Sequence, residues 1–228
     1  AVFGPDLLIN PTFGVVYAWL WVGLVPASLL LGPIWKSTSP ARTLNLLFAR
    51  LTGGDPARGL RELPRWVGYW PAAAGLFAFV WLELVFPNST YLGPVRMWFA
   101  AYFAVLFIGA AVFGDRWLER ADPFEVYSTL VGHLALVGRR TDGQLVFRSP
   151  LANLATLQPA PGLVAVVAIL LGSTAFDSFS ASNDWLRFTQ STDLSMTWVN
   201  TGLLLAFCAF VAVTFSVPTL DPEVWRRT

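Results

Sequence analysis

Residues 13–34 read FGVVYAWLWVGLVPASLLLGPI, twenty-two positions without one charge. An α-helix rises about 1.5 Å per residue, so a run of about 20 apolar residues crosses the hydrocarbon of a bilayer. Four further stretches have this character: about Val67 to Val85, Met97 to Phe113, Leu163 to Phe176 (the shortest) and Thr201 to Val217. The whole chain agrees with them. It is 55% hydrophobic and only 13% charged, with a mean hydropathy of +0.58, whereas a soluble domain carries about 25% charged residues. The expected fold is therefore all-α: a polytopic transmembrane bundle of about five spans, forming a single transmembrane domain over residues 1–228.

The arginines orient that bundle. Lys36, Arg42, Arg50, Arg58, Arg61 and Arg65 follow the first span. Arg116, Arg120, Arg139, Arg140 and Arg148 follow the third, and Arg226 and Arg227 the fifth. Only Arg96 and Arg187 fall on the other side. Basic residues are retained on the cytoplasmic face, so the N-terminus is expected outside and the C-terminus in the cytoplasm, across the plasma membrane. This arrangement requires an odd number of spans. Aromatic rings cluster near the expected span ends, at Tyr17, Trp35, Trp66, Tyr69, Trp70, Trp98, Tyr102, Trp117 and Trp198, where amphipathic rings favour the headgroup level.

The basic loops carry their own patterns. Ser39-Pro40 opens a helical stripe of Leu44, Leu47, Phe48 and Leu51 that ends at Gly53-Gly54. Asp122-Pro123 with Glu125 resembles a capping box, followed by the stripe Phe124, Tyr127, Leu130, Val131 and Leu134. Both are too short to span and suit helices lying in the cytoplasmic interface. Arg139 to Arg148 reads as a hairpin turning at Thr141-Asp142-Gly143-Gln144, and Ser149-Pro150 starts a short helix with Leu151, Leu154 and Leu157. The outer segment from Ser178 to Asn200 has the composition of a short surface helix. The chain begins at Ala1 rather than Met, and Asp221-Pro222-Glu223 reads as a helix start just before Thr228. These two features predict a fragment of a longer multi-pass chain.

A net charge of +1 offers no basic surface for nucleic acid. One His and one Cys make no His/Cys metal or haem site, so no cofactor is expected. The expected partners are the lipid bilayer and other protein subunits. Cys208 reads as a small buried hydrophobe, and His133 as a solvent-facing or carbonyl-bonded histidine.

Ionisable side chains within lipid cost about 3 kcal/mol on insertion scales and are candidates for function. Two qualify: Glu83, near the outer end of the second span, and Asp177, at the outer end of the fourth. Together with Ser173 and Thr174 they form a candidate polar intramembrane site that would bind a cation, relay a proton or orient a polar substrate. In the alternative reading both carboxylates stand at the membrane edge, reaching water or pairing with Arg96 or Arg187. Gly172, Ser173 and Thr174 also suit close helix packing in lipid. No nucleophile elbow, phosphate loop or metal-binding His-Glu pattern is present.

Several phrases resemble a known family as a set. They are Trp21-Val22-Gly23-Leu24-Val25-Pro26-Ala27-Ser28, Gly68-Tyr69-Trp70-Pro71-Ala72-Ala73 and Phe79-Val80-Trp81-Leu82-Glu83-Leu84-Val85, then Asp122-Pro123-Phe124-Glu125-Val126-Tyr127 and Leu171-Gly172-Ser173-Thr174-Ala175-Phe176-Asp177. In this order they resemble actinobacterial multi-pass membrane proteins labelled as fenitrothion hydrolase membrane components. The resemblance covers about Pro11 to Arg187 and implies longer chains with further hydrophobic segments. Its label implies hydrolysis of an organophosphate triester, by this chain or by a partner subunit, and it assigns no catalytic residue to any position here. The functions expected are thus a structural or transport-type component of a larger envelope complex, a membrane-embedded part of such a hydrolase, or an ion or proton pathway using Glu83 and Asp177.

Overall fold

The computed structural model describes residues 10–139, 144–147, 149–154 and 156–216. The expected turn residues Thr141, Asp142 and Gly143, with Arg140 and Arg148, lie outside the described residues. So do the expected helix start at Asp221-Pro222-Glu223 and Arg226 and Arg227. Within them the chain is an all-α multi-pass membrane protein with five helices long and apolar enough to span.

Helix α1 (Pro11–Leu31) is composite. Asn10 caps its first turn, a widened π stretch follows over Gly14–Val22, and an ordinary α-helical half covers Leu24–Leu31. The Gly23 N–H donates five residues back to the Ala18 carbonyl, at 2.8 Å. Pro26 accounts for the change of register, because it has no N–H for the Val22 carbonyl and its ring would strike that oxygen. Gly23 is required at the junction, since a Cβ there would lie 2.3 Å from the Trp19 carbonyl oxygen.

Two short helices follow, α2 (Trp35–Thr38) and α3 (Pro40–Thr52). The Ser39 hydroxyl accepts the Arg42 N–H at 3.4 Å, and Gly53 ends α3 at φ 69°. The second span enters through a 3-10 turn at Arg65–Val67 and continues as α4 (Trp70–Leu84). Helix α5 (Leu92–Phe113) is the third span, followed by α6 (Asp115–Ala121) and α7 (Pro123–Gly132). Strands β1 (Val137–Arg139) and β2 (Leu145–Phe147) pair antiparallel with Val137 opposite Phe147. After α8 (Pro150–Leu154) come α9 (Leu163–Ser180), α10 (Asn183–Ser191) and α11 (Met196–Ser216).

Three spans exceed their expected apolar runs, α11 among them, which starts at Met196. Helix α5 starts before Arg96 and α9 continues past Asp177, because a helix need not stop where the hydrocarbon does and a long cationic side chain can reach back to the interface.

Helix α4 is the centre. It packs against α9 on one side and against α5, α6 and α7 on the other, while α11 packs against α9. In lipid the hydrophobic effect does not pull helices together, so close van der Waals contact must. At Gly172 on α9, an added Cβ would lie 2.7 Å from the Cys208 Cα on α11. Cys208 is buried in that seam. On the far side of α4 the core is aromatic. Phe79 is 1% exposed and meets Trp21, Trp98 and Phe124 at centroid distances of 5.3, 5.1 and 5.3 Å. Trp98 and Tyr102 therefore belong to the core rather than to a headgroup belt, whereas Trp66 and Trp198 are 75% and 77% exposed at span ends.

The two short stripes differ in fate. The stripe on α3 faces outward, with Phe48 and Leu51 57% and 74% exposed, and only Ala41 of that helix is buried. This is the form of a helix lying in an interface. Helix α7 has the expected length but is enclosed between α1, α4 and α6. Its Phe124 and Val126 are buried, and so are Glu125 and Ser128. A stripe shows which residues prefer cover, but not whether neighbours also cover the opposite face.

The ends of the bundle separate the charges. Backbone hydrogen bonds tie Arg61 to Val112, Asp115 to Pro56 and Tyr69 to Pro161, so the loops after α1 and α5 and the entry to α9 share one end. Lys36 and all described arginines except Arg96 and Arg187 lie at that end.

Candidate functional site

The two intramembrane carboxylates expected from the sequence stand on helices that pack against each other, α4 and α9. Glu83 stands one residue before the end of α4 and is half-buried; Asp177 stands on α9 and is exposed. Their charges act on each other, and the Tyr17 phenol feels the charge of Glu83. Neither carboxylate forms an ion pair among the described residues. Pairing with Arg96 or Arg187 is therefore not part of this arrangement. Close by, Trp81 Nε1 donates to Thr201 Oγ1 at 2.9 Å, and the neighbouring Asn200 Oδ1 is buried with no partner among the described residues.

Ser173 and Thr174 do not join this pair. Both hydroxyls donate to the Leu170 carbonyl of their own helix, at 3.2 and 2.9 Å. Ser173 is buried and Thr174 exposed, so the two point to different sides.

A second, more enclosed cluster lies at the basic end, where α7 meets α2, α3, α5 and α6. Asp122 caps α7 and is fully buried. Its Oδ1 accepts the Tyr102 hydroxyl at 3.0 Å and the N–H groups of Phe124 and Glu125 at 3.0 and 3.3 Å. Its Oδ2 accepts Trp35 Nε1 at 2.9 Å, with the Ser39 hydroxyl at 3.5 Å. Burial pushes the Asp122 carboxyl up to about 6, with the nearby Glu125 charge adding to it; the Trp35 and Tyr102 hydrogen bonds restrain the rise. All its partners are neutral, so no cation offsets the loss of water.

Glu125 is treated differently by the same helix. Its carboxylate takes two hydrogen bonds from Arg42, Nε to Oε2 and Nη2 to Oε1, each 2.6 Å. Only half of the expected capping box is therefore made. The Asp122 side chain caps the helix, while Glu125 turns to Arg42 and the Asp122 N–H goes to the Leu118 carbonyl. Asp115 and Glu119 also approach the Arg42 guanidinium, at 3.7 and 3.8 Å. Burial works against the charge on Arg42, but the Glu125 hydrogen bonds and these carboxylates raise its pKa. Burial likewise works against Glu119, yet the Lys36 hydrogen bond at 2.7 Å holds its carboxyl below the usual range. Ser28 and Ser128 share a buried hydrogen bond of 2.8 Å, joining α1 to α7.

The two clusters stand on opposite sides of the aromatic hub. Glu83 is one turn beyond Phe79 on α4, and Phe79 packs on Phe124, two residues from Asp122. In this conformation the basic-end cluster acts as a clasp that holds α7 and α3 into the spans. His133, at the end of α7, is engaged through Nδ1 with the Thr129 carbonyl at 2.7 Å. Among the described residues no group of three His, Cys, Asp or Glu side chains converges as a metal site.

The clasp was not readable as a site. Arg42 counts as a topology charge and Asp122 as a helix cap, and the bonds that tie α7 to α2 and α3, Trp35 to Asp122 and Arg42 to Glu125, span 87 and 83 residues of sequence. The one signal was an Asp and a Glu within an otherwise apolar helix. Comparison with protein-family models, with curated proteins and with solved structures gives no match to this chain.

Proposed function

We infer that this chain is a membrane-embedded component of a larger cell-envelope complex, with a structural or transport-type role, its basic end facing the cytoplasm. The observation that carries this reading is the fifth span. Only 11% of its apolar window is buried within the chain, the lowest share of the five spans. Gly202, Ala206 and Ala209 lie along one exposed face of α11, four and three residues apart, and among the described residues no other element comes within 4 Å of a Cβ added at Gly202. Small residues at this spacing let a second helix approach closely in lipid. The thirteen-to-two distribution of basic residues supports the orientation.

The test is purification of the full-length protein from its native membrane in mild detergent. Other subunits are expected to co-purify, and Gly202→Leu combined with Ala206→Leu is expected to reduce their yield at least tenfold without lowering the melting temperature. Recovery of the wild-type chain alone would sink the reading. The resemblance to fenitrothion hydrolase membrane components makes organophosphate-triester hydrolysis the first activity to assay in such a complex.

A second reading, an ion or proton pathway or a substrate site at the outer face, is favoured by the interacting charges of Glu83 and Asp177. Glu83→Gln and Asp177→Asn are then expected to abolish transport or hydrolysis by the complex while its subunits still co-purify. Unchanged activity in both variants excludes a role for this pair.

A further inference from the structure

Beside the clasp, but separate from it, a groove of about 560 Å³ opens between the entry to the second span, α6 and the entry to the fourth span. Its floor is backbone held against backbone. The Tyr69 N–H donates to the Pro161 carbonyl at 2.7 Å, and a Cβ on Gly68 would lie 2.2 Å from that oxygen. The contact leaves no room for a side chain, so the two span entries are fixed in register.

Three guanidinium groups line this groove: Arg65 at the start of the second span, and Arg116 and Arg120 one turn apart on α6. Arg120 is positioned by stacking, with its guanidinium carbon 4.2 Å from the centre of the Tyr69 ring, and its charge is felt by Glu119. Glu119 itself is hydrogen-bonded to Lys36. Among the described residues, neither Arg65 nor Arg116 has an acidic partner. At the same end Lys36, Arg42 and Arg58 each face a carboxylate, whereas Arg50 and Arg61, outside the groove, form no ion pair among the described residues.

The depth of the groove indicates its ligand. Arg65 opens the second span, Phe113 closes the third and Leu163 opens the fourth, so the groove lies where the hydrocarbon gives way to headgroups. Trp66, which is 75% exposed, sits on its rim at the depth where indole rings favour the interface. A planar guanidinium binds phosphate through paired hydrogen bonds, and basic pockets between spans at the basic face suit anionic headgroups. We propose that the Arg65–Arg116–Arg120 groove binds the phosphate of an anionic phospholipid at the basic end of the bundle.

The test uses the full chain in an uncharged detergent, titrated with short-chain phosphatidylglycerol, short-chain phosphatidylcholine or inorganic phosphate while thermal unfolding is followed. Phosphatidylglycerol is expected to raise the melting temperature saturably, and the other two to leave it unchanged. Each arginine near an anionic surface contributes about fivefold, so Arg65→Gln with Arg116→Gln should weaken binding roughly 30-fold. That variant keeps Arg120 on Tyr69 and leaves the backbone floor untouched. Arg50→Gln with Arg61→Gln, at the same end but outside the groove, should keep wild-type affinity. An equal loss in the two double variants would overturn the proposal in favour of diffuse attraction. An equal response to inorganic phosphate would overturn the lipid assignment.

Discussion

Replacing Arg42 with alanine is expected to destabilise the bundle by about 3–5 kcal/mol, the usual consequence of leaving one member of a buried ion pair alone. Glu125 is 2% exposed and the Arg42 side chain is 15% exposed, so the pair has little access to water. Without the guanidinium, Glu125 must take up a proton or draw water between α7 and α3, and Asp115 and Glu119 lose a shared counter-charge. On a scale of roughly 2–4 °C per kcal/mol for chains of this size, the melting temperature in detergent should fall by about 10 °C. Glu125→Ala should cost a comparable amount, because it strands Arg42. Replacing both, Arg42→Met with Glu125→Met, should recover most of the loss, since two apolar side chains pack without a desolvation cost. If the double variant is as unstable as the sum of the singles, the pair is not a coupled unit.

The second large effect is a pH dependence carried by Asp122. Its folded pKa of about 6 lies above the ordinary value near 3.9. A raised acid contributes its full stability below the unfolded pKa and loses it as pH rises through the folded one. Asp122 therefore favours the folded bundle below about pH 4, and that contribution disappears between about pH 4 and pH 6. A shift of about two units corresponds to roughly 3 kcal/mol. Asp122→Asn removes the titration but keeps an acceptor for Tyr102 and for the N–H of Phe124. Comparing wild type with this variant isolates Asp122 from the other carboxylates. The wild type should lose about 2 kcal/mol relative to the variant between pH 4.5 and pH 7.5, read from unfolding curves followed by tryptophan fluorescence. Parallel pH curves for the two proteins would remove Asp122 from the account.

These two residues show how the chain divides its buried charge. Asp122 and Glu125 are three positions apart on one short helix, yet one meets a cation and the other only neutral donors. The difference comes from geometry. Asp122 caps α7 and points its oxygens at Trp35 and Tyr102, whereas Glu125, one turn later, faces α3 and its arginine.

Glu83 and Asp177 stand out as candidates because each interrupts an apolar run, and the structure sets them on the packed helices α4 and α9. Ser173 and Thr174 read from sequence as small polar residues that could pack or line a cavity with Asp177, but a helix turns about 100° per residue, so neighbours in sequence face different ways. The clasp is hidden in the sequence for the opposite reason. Arg42, Asp122 and Glu125 lie in the charge-rich segments between spans, where a polar residue is ordinary, and the bonds from Trp35 to Asp122 and from Arg42 to Glu125 join segments more than 80 residues apart. Trp98 and Tyr102 follow the same logic: an indole or phenol near the end of an apolar run suits a headgroup belt, until Phe79 and Phe124 pack against it.

What the sequence determined by itself is the set of spans and the end of the bundle that carries the arginines. In lipid each helix must satisfy its own backbone hydrogen bonds, so a sufficient run of apolar residues is enough to specify a span without reference to its neighbours. Tertiary structure decided which polar groups are enclosed. Burial of Asp122, Glu125 and Arg42 depends on α3, α6 and α7 folding back against the spans, and those contacts join residues that no local pattern connects.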